Sequence, residues 1–334
     1  MSPPSPAGPS GKHPTRRRMR RFAVLLAVLL SVAGGCATDA YPPLRILVPS
    51  NAGGGYDVTA RIAAELLDSE GIVDHPEVFN VAGGGGAVGL TRMVQESGNS
   101  DLLMLMGLGV VAASITGNSP ARVTRVVPIA RLITEPEVVL VRAASPYRTL
   151  DELVADWRLR GAGLRIGGGS IPGGTDNLML LQLARAAGIP ATDVGYVPHE
   201  GGGQLLPALL DGSIDAAVSG PREVLEQVRS GQLRVLATSG TQRLSSVDAP
   251  TLREAGYDVA FTNWRGVVAP PGIPQATRQR FVALFTNLHS SPGWQQQLAE
   301  NGWQDAFLTG TEFGDFLTDQ DAAVRRELQE LGLA

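Results

Sequence analysis

Lysine is almost missing from this 334-residue chain: Lys12 is the only one, and every other basic side chain is an arginine or one of four histidines. Beyond residue 12 there can be no Schiff-base chemistry on a lysine, and there is no polybasic surface of the kind that grips nucleic acid. Cysteine is as scarce, since Cys36 stands alone and no disulfide can form within the chain. His13, His75, His199 and His289 are scattered without metal-ligand spacing, and H-E-x-x-H, G-x-S-x-G and G-x-x-x-x-G-K-S/T do not occur. Neither a metal nor a cofactor is therefore expected. An enzyme would have little to work with: His199 beside Glu200 is the one pairing to test, and carboxylates sharing a task cannot be picked out by spacing. Long apolar runs are lacking too. Residues 102–115, LLMLMGLGVVAASI, come closest after the amino terminus, but the run is short and broken by glycine, which reads as a buried strand and turn.

What the amino terminus does have is Arg16, Arg17, Arg18, Arg20 and Arg21, then FAVLLAVLLSVAGG at residues 22–35, then Cys36. A basic segment, an apolar segment and small residues before a cut describe a signal peptide over residues 1–35. The apolar run is shorter than the roughly 20 residues a spanning helix needs. Its end, VAGGC, is where a bacterial lipoprotein is cut and acylated on its new terminal cysteine, so Cys36 is the expected lipidation site and residues 36–43 a tether. More than one acyl chain gives stable anchoring on the outer face of the cell membrane. Ordinary cleavage nearby, twin-arginine export and a true start at Met19 remain open. Without residues 1–35 the chain keeps 22 arginines against 32 acids, a formal charge of about −10. Such a protein can bind an anion only through local donors, backbone N–H groups and one or two arginines.

About 300 remaining residues are enough for two medium cores. Short apolar runs such as LRILVPS (44–50), EVVLVRA (137–143), LRIGGG (164–169) and LRVLATSG (233–240) alternate with helical patterns such as YDVTARIAAELLDSEG (56–71) and NLMLLQLARAAG (177–188). This predicts an α/β fold with mainly parallel sheets. Residues 137–147 and 261–272 are both extended, apolar and followed by proline, and about 120 residues between them form their own α/β series. A chain that leaves one domain and returns once makes two α/β lobes joined by two crossing strands, able to hinge around a ligand. The expected division is 44–140 with 265–334 in lobe 1, and 141–264 in lobe 2.

NAGGGYDVTAR (51–61) sets three glycines between a strand and a helix, so N–H groups from Gly53 to Tyr56 can converge on an anion at the helix start, with Asp57 at or near the N-cap. A capped turn without a ligand explains the same residues equally well. GGGSIPGGTDNLML (167–180) repeats the design with hydroxyls at Ser170 and Thr175, and facing turns from two lobes would set two helix amino termini on one carboxylate. A third glycine turn, 201–203, opens a helix, and Arg222 follows a strand end where its planar fork could pair with a carboxylate. Gly84, Gly86 and Gly89 formally satisfy G-x-G-x-x-G, with Asp101 at a rough distance for a ribose, but 41 glycines produce such strings easily.

YPPLRILVPSNAGGGYDVTAR (41–61), NVAGGGGAVGL, the GGGS turn, YVPHEGGGQLLPALLDGSIDAAVSG and NWRGVVAPPGIP (263–274), in this order, resemble the extracytoplasmic receptors of tripartite tricarboxylate transporters, the Bug receptors. The resemblance covers nearly all of 41–334. It implies a two-lobed periplasmic-binding-protein fold of type II that closes on a small organic carboxylate, a di- or tricarboxylate such as citrate, with the transporter's membrane subunits as partners and the receptor a monomer. Carried onto this sequence, the ligand contacts are Ala52, Gly53, Gly54, Tyr56 and Asp57 in one lobe, and Gly168, Gly169, Ser170 and Thr175 in the other, with the 201–203 turn and its Gly202 as neighbour; Arg222 joins the expected contacts from the reading of the residues alone. Ser50 and Asn51 stand where many members carry alanine or phenylalanine, and Asp176 and Asn177 where many carry histidine, so the identity of the ligand is open. A receptor that presents its ligand to a signalling partner is the alternative.

Overall fold

The computed structural model describes residues 1–5, 8 and 44–333; the apolar run of the leader, Cys36 and the tether lie outside them. From Leu44 the apolar β1 (Arg45–Val48) leads through a glycine turn into α1 (Gly55–Ser69), and β2 (Glu77–Asn80) through a second into α2 (Ala87–Gln95). β3 (Leu102–Gly107), buried along its whole length, runs into the helix α3 (Leu108–Thr116), not into the turn that the sequence suggested. α3 is buried on almost every side, so it has no polar face and leaves no 3.6-residue stripe to read.

β4 (Val127–Pro136) and β5 (Val138–Arg142) are separated by Glu137 alone. A second series follows: α4 (Leu150–Arg160), β6 (Arg165–Gly168), α5 (Thr175–Ala186), β7 (Gly195–Pro198), α6 (Gly202–Leu210), β8 (Ala216–Ser219), α7 (Pro221–Arg229) and β9 (Leu233–Thr238). The chain ends with β10 (Thr262–Ala269), α8 (Gln275–Ser290), α9 (Pro292–Asn301), β11 (Gln304–Thr309) and α10 (Gly310–Glu330).

These strands make two sheets, ordered β11-β4-β10-β3-β1-β2 and β7-β6-β8-β5-β9, each with its own helices: two α/β lobes. β1 pairs in parallel with β2 and β3, and β6 with β7 and β8. All pairs made by β4, β5 and β10 are antiparallel. The sheets are thus mixed, not mainly parallel, because the strands that carry the chain between them run against their neighbours. β5 lies wholly in the second sheet and β10 wholly in the first. The chain thus passes from the first sheet to the second at Glu137 and returns within 239–261.

The core of the first lobe packs Phe281 and Phe285 of α8 and Trp294 of α9 against the sheet, all three fully buried. A buried side chain of this size contributes about 1.5–3 kcal/mol. The glycine turns after β1, β2, β6 and β7 line one cavity.

Candidate functional site

The cavity holds about 360 Å³ and is walled by glycine turns from both lobes. Ala52, Gly53, Gly54 and Tyr56 of the β1–α1 turn line it, as do Gly169, Ser170 and Thr175 of the β6–α5 turn and Gly202 at the start of α6. The β2–α2 turn, residues 82–86, is a further wall, which gives the formal dinucleotide string a place at this cavity.

Three expected contacts lie elsewhere. Asp57 is buried in the first turn of α1, three residues past the N-cap Gly54, and accepts hydrogen bonds from Gly53 N (2.9 Å), Arg61 Nε (2.8 Å) and Asn80 Nδ2 (2.9 Å). Burial works against its ionisation, but those three donors hold its pKa below the usual value. Its role is to fasten the turn. Gly168 is buried in β6, where an added Cβ would come within 2.5 Å of Tyr196 Oη and 2.8 Å of Asp176 Cβ. Arg222 lines an adjoining space of about 190 Å³, with its Nε donating to Asn301 Oδ1 at 2.7 Å. His199 and Glu200 both line the cavity but turn to different partners: His199 Nδ1 is 3.0 Å from Val197 O, and Glu200 Oε2 accepts from Asn51 Nδ2 at 3.0 Å, a bond that joins the turns of the two lobes.

The floor is made of residues that glycine patterns do not reveal. Glu135 of β4, Glu137 at the crossing, and Asn263 and Arg265 of β10 all line it. Asn263 is directly opposite Glu135 in the β4–β10 ladder. Residues two apart in a strand share a face, so Glu135, Asn263 and Arg265 point the same way, and Glu137 just past the end of β4 lines the same cavity. Arg265 Nη2 donates to Glu135 Oε1, and Nη1 donates to Thr59 Oγ1 at 2.9 Å. The signal was available: a charge inside an otherwise apolar strand, as in EPEVV or NWRGVV, is a buried charge that needs a partner.

Across the floor stand Asp176 of α5 and Glu223 of α7. Burial, and then the Glu223 charge, push the Asp176 carboxyl up to about 8. Burial raises Glu137 well above the carboxylate range, with Asp176, Glu135 and Glu223 adding repulsion. It also raises Glu135 against the pull of Arg265. Glu223 is raised by burial and drawn back by Arg265 and by the backbone N–H groups of Gly202 and Gly55. A side chain of the second lobe thus sits at the amino termini of α1 and α6, where local dipoles favour a carboxylate. Space is tight at these points: a Cβ on Gly55 would lie 2.3 Å from Arg265 Nη2, and one on Gly202 2.7 Å from Glu223 Oε2, so either charged side chain would have to shift. The Tyr56 hydroxyl, pushed up to about 12 chiefly by burial, faces the start of α3 through the N–H groups of Gly109 and Val110. Among the described residues no three His, Cys, Asp or Glu side chains are placed to hold a metal ion, and no helix is long and apolar enough to cross a membrane.

Two α/β lobes with a small-molecule cavity between their strand ends define the class of periplasmic binding proteins. Residues 60–333 match the model of the tripartite tricarboxylate transporter family receptor, and the chain belongs to that family. Protein BugT of Bordetella pertussis is 29% identical over 321 residues, covering 90% of this chain and 94% of that one. Among solved structures, MatC from Rhodopseudomonas palustris with bound malate superposes with a TM-score of 0.75 at 22% identity, covering 86% of this chain and all of that one. An R. palustris protein solved with adipate gives 0.78 at 19% identity, covering 87% of this chain and 97% of its own.

Proposed function

We propose that this chain is an exported solute receptor, anchored through an acylated Cys36, which captures a small organic carboxylate in the cavity between its lobes and delivers it to the membrane subunits of a tripartite transporter. The observation that carries this reading is the match to the receptor family across 60–333, joined to a cavity walled by turns of both lobes. Cavities of about 300 Å³ and upward are the size that small ligands occupy. Malate and adipate in two proteins of like fold support the carboxylate class. A dicarboxylate fits it better than citrate, because a trianion would meet Glu135, Glu137, Asp176 and Glu223 with Arg265 as the one cation on the lining. Two like charges 4 Å apart repel by about 4 kcal/mol at an effective dielectric constant of 20. The receptor is a monomer, with lobes divided at the crossings, and takes part in no chemistry on its ligand.

A thermal-shift screen against mono-, di- and tricarboxylates, amino acids and sugars at matched ionic strength tests the reading. A ligand at 100 times its Kd adds about 2.7 kcal/mol to the folded state. A carboxylate-bearing compound is expected to raise Tm; a shift by sugars alone would overturn the ligand class. For the anchor, Cys36→Ser is expected to move the protein from the membrane fraction to the soluble one.

A further inference from the structure

The apolar cores divide unevenly between the lobes. One, built on α1, α8 and α9, belongs to the first lobe alone, and another, under α6 and α7, to the second alone. The third is shared. It runs from Met104 and Val110 of the first lobe to Leu178 and Leu183 of the second, takes in Val259 and Phe261 of the returning crossing, and reaches Val324 and Leu328 of α10. α3 is buried at seven of its nine residues and α5 at nine of its twelve, so neither keeps a face for water. Where the lobes meet here, an added Cβ on Gly173 would come within 2.8 Å of Thr116 Cγ2 and 3.3 Å of Leu328 Cδ2, and one on Gly85 within 2.4 Å of Ile171 Cδ1. The two crossings are fastened to each other as well: Glu137 N donates to Ser239 Oγ, and Ser239 N to Glu137 O, both at 2.8 Å.

On the other side of the cavity the lobes meet through polar groups. Asn51 Nδ2 donates to Glu200 Oε2 at 3.0 Å, Glu223 faces the N–H of Gly55, and Arg222 Nε donates to Asn301 Oδ1 at 2.7 Å. The Asn301 amide is held ready for this bond, since its Nδ2 donates to Gln297 O at 2.9 Å and Gln297 Oε1 at 3.0 Å. The space of about 190 Å³ lies along this seam, and all its lining residues except Val58 and Arg222 also line the main cavity. Parting the seam replaces hydrogen bonds within the protein by hydrogen bonds to water, with little net change. Parting the shared core would wet apolar faces with nothing in return.

We propose that the lobes turn on the shared core and the crossings as one pivot, and that the cavity opens along the polar seam, between α1 and α9 of the first lobe and α6 and α7 of the second, with Arg222 and Asn301 as its bolt. The smaller space is then the way into the main cavity. Opening can be followed without any ligand, so a failure here leaves the carboxylate reading standing.

The test is double electron–electron resonance on the ligand-free full chain, with Cys36→Ser removing the native thiol. Spin labels on Glu226→Cys of α7 and Ala299→Cys of α9 span the seam. Labels on Ala186→Cys of α5 and Gln329→Cys of α10 span the shared core, and all four positions are exposed. The seam pair is expected to show distances longer than the structure's own, while the core pair keeps the structure's distance. Where the seam pair shows both, Arg222→Ala is expected to raise the longer population about threefold or more, as the loss of one hydrogen bond predicts. Arg222 is exposed and its removal leaves the cores intact; Asn301→Ala is read the same way. A core pair that lengthens as much as the seam pair overturns the pivot. So does a seam pair that keeps the structure's distance in the unaltered protein and in both variants.

Discussion

Gly55 has less room than the other two glycines of the β1–α1 turn. An added Cβ would fall 2.3 Å from Arg265 Nη2 and 3.3 Å from Glu223 Oε1, whereas on the neighbouring Gly54 it would find nothing closer than Asn51 O at 3.6 Å. Gly55→Ala is therefore expected to cost about 1–3 kcal/mol, the range for overfilling a packed site, while Gly54→Ala stays within about 0.5 kcal/mol; urea titration of the two variants decides. Equal effects would mean that the turn, not the charges beneath it, sets the limit. Arg265 is the complementary case, a buried cation whose removal leaves Glu135 without a counter-ion. Arg265→Met should cost roughly 3–5 kcal/mol at pH 8. The loss should shrink toward pH 5, where Glu135 can take up a proton, and Glu135→Leu added to Arg265→Met should recover much of it. A loss that does not vary with pH would show that Arg265 contributes packing alone.

At the level of elements, the strand–glycine turn–helix units at β1–α1, β6–α5 and β7–α6 were legible because each combines an apolar strand, a glycine turn and a helical stripe in sequence order. The buried helix α3 and the antiparallel strands inside the sheets were not. α3 has no polar face, and the antiparallel pairing of β4, β5 and β10 joins residues more than 75 apart, which no local pattern encodes. The site divides the same way. Its glycine walls could be read from turns, but its charged floor is assembled only when Glu135 meets Arg265, 130 residues away. Asp57 and Arg222 show what residue type leaves unread, the partners each has within the protein, Gly53 and Asn301. Glu223 could not be placed by spacing at all: it leaves α7 in one lobe and faces the amino terminus of α1 in the other. Because it brings negative charge to the donors a ligand carboxylate would use, Glu223→Gln should tighten binding of a simple dicarboxylate by about tenfold, or 1.4 kcal/mol. Unchanged or weaker binding would instead make Glu223 part of the ligand's own grip.

Over the whole molecule, the four cavity acids act together on stability. Glu135, Glu137, Asp176 and Glu223 all have raised folded-state values, with Asp176 at about 8, while an unfolded Asp or Glu titrates near 4. Between those limits the native state binds protons that the unfolded chain has released, so the stability of the ligand-free protein falls as pH rises. This contribution is fully present below about pH 4 and is lost as pH climbs through the folded values. Acids held low, such as Asp57 and Asp156, act oppositely, but only toward the acid end of the scale. Ligand-free Tm is therefore expected to decline steadily from pH 5 to pH 8. A Tm that is flat or rising over that range would mean that the cavity acids are ionised and compensated in the empty protein. A saturating dicarboxylate should steepen the decline, since it binds best when those acids are protonated. The slope of Tm against pH, measured with and without ligand, thus reports the sign of the charge that the cavity floor is built to meet.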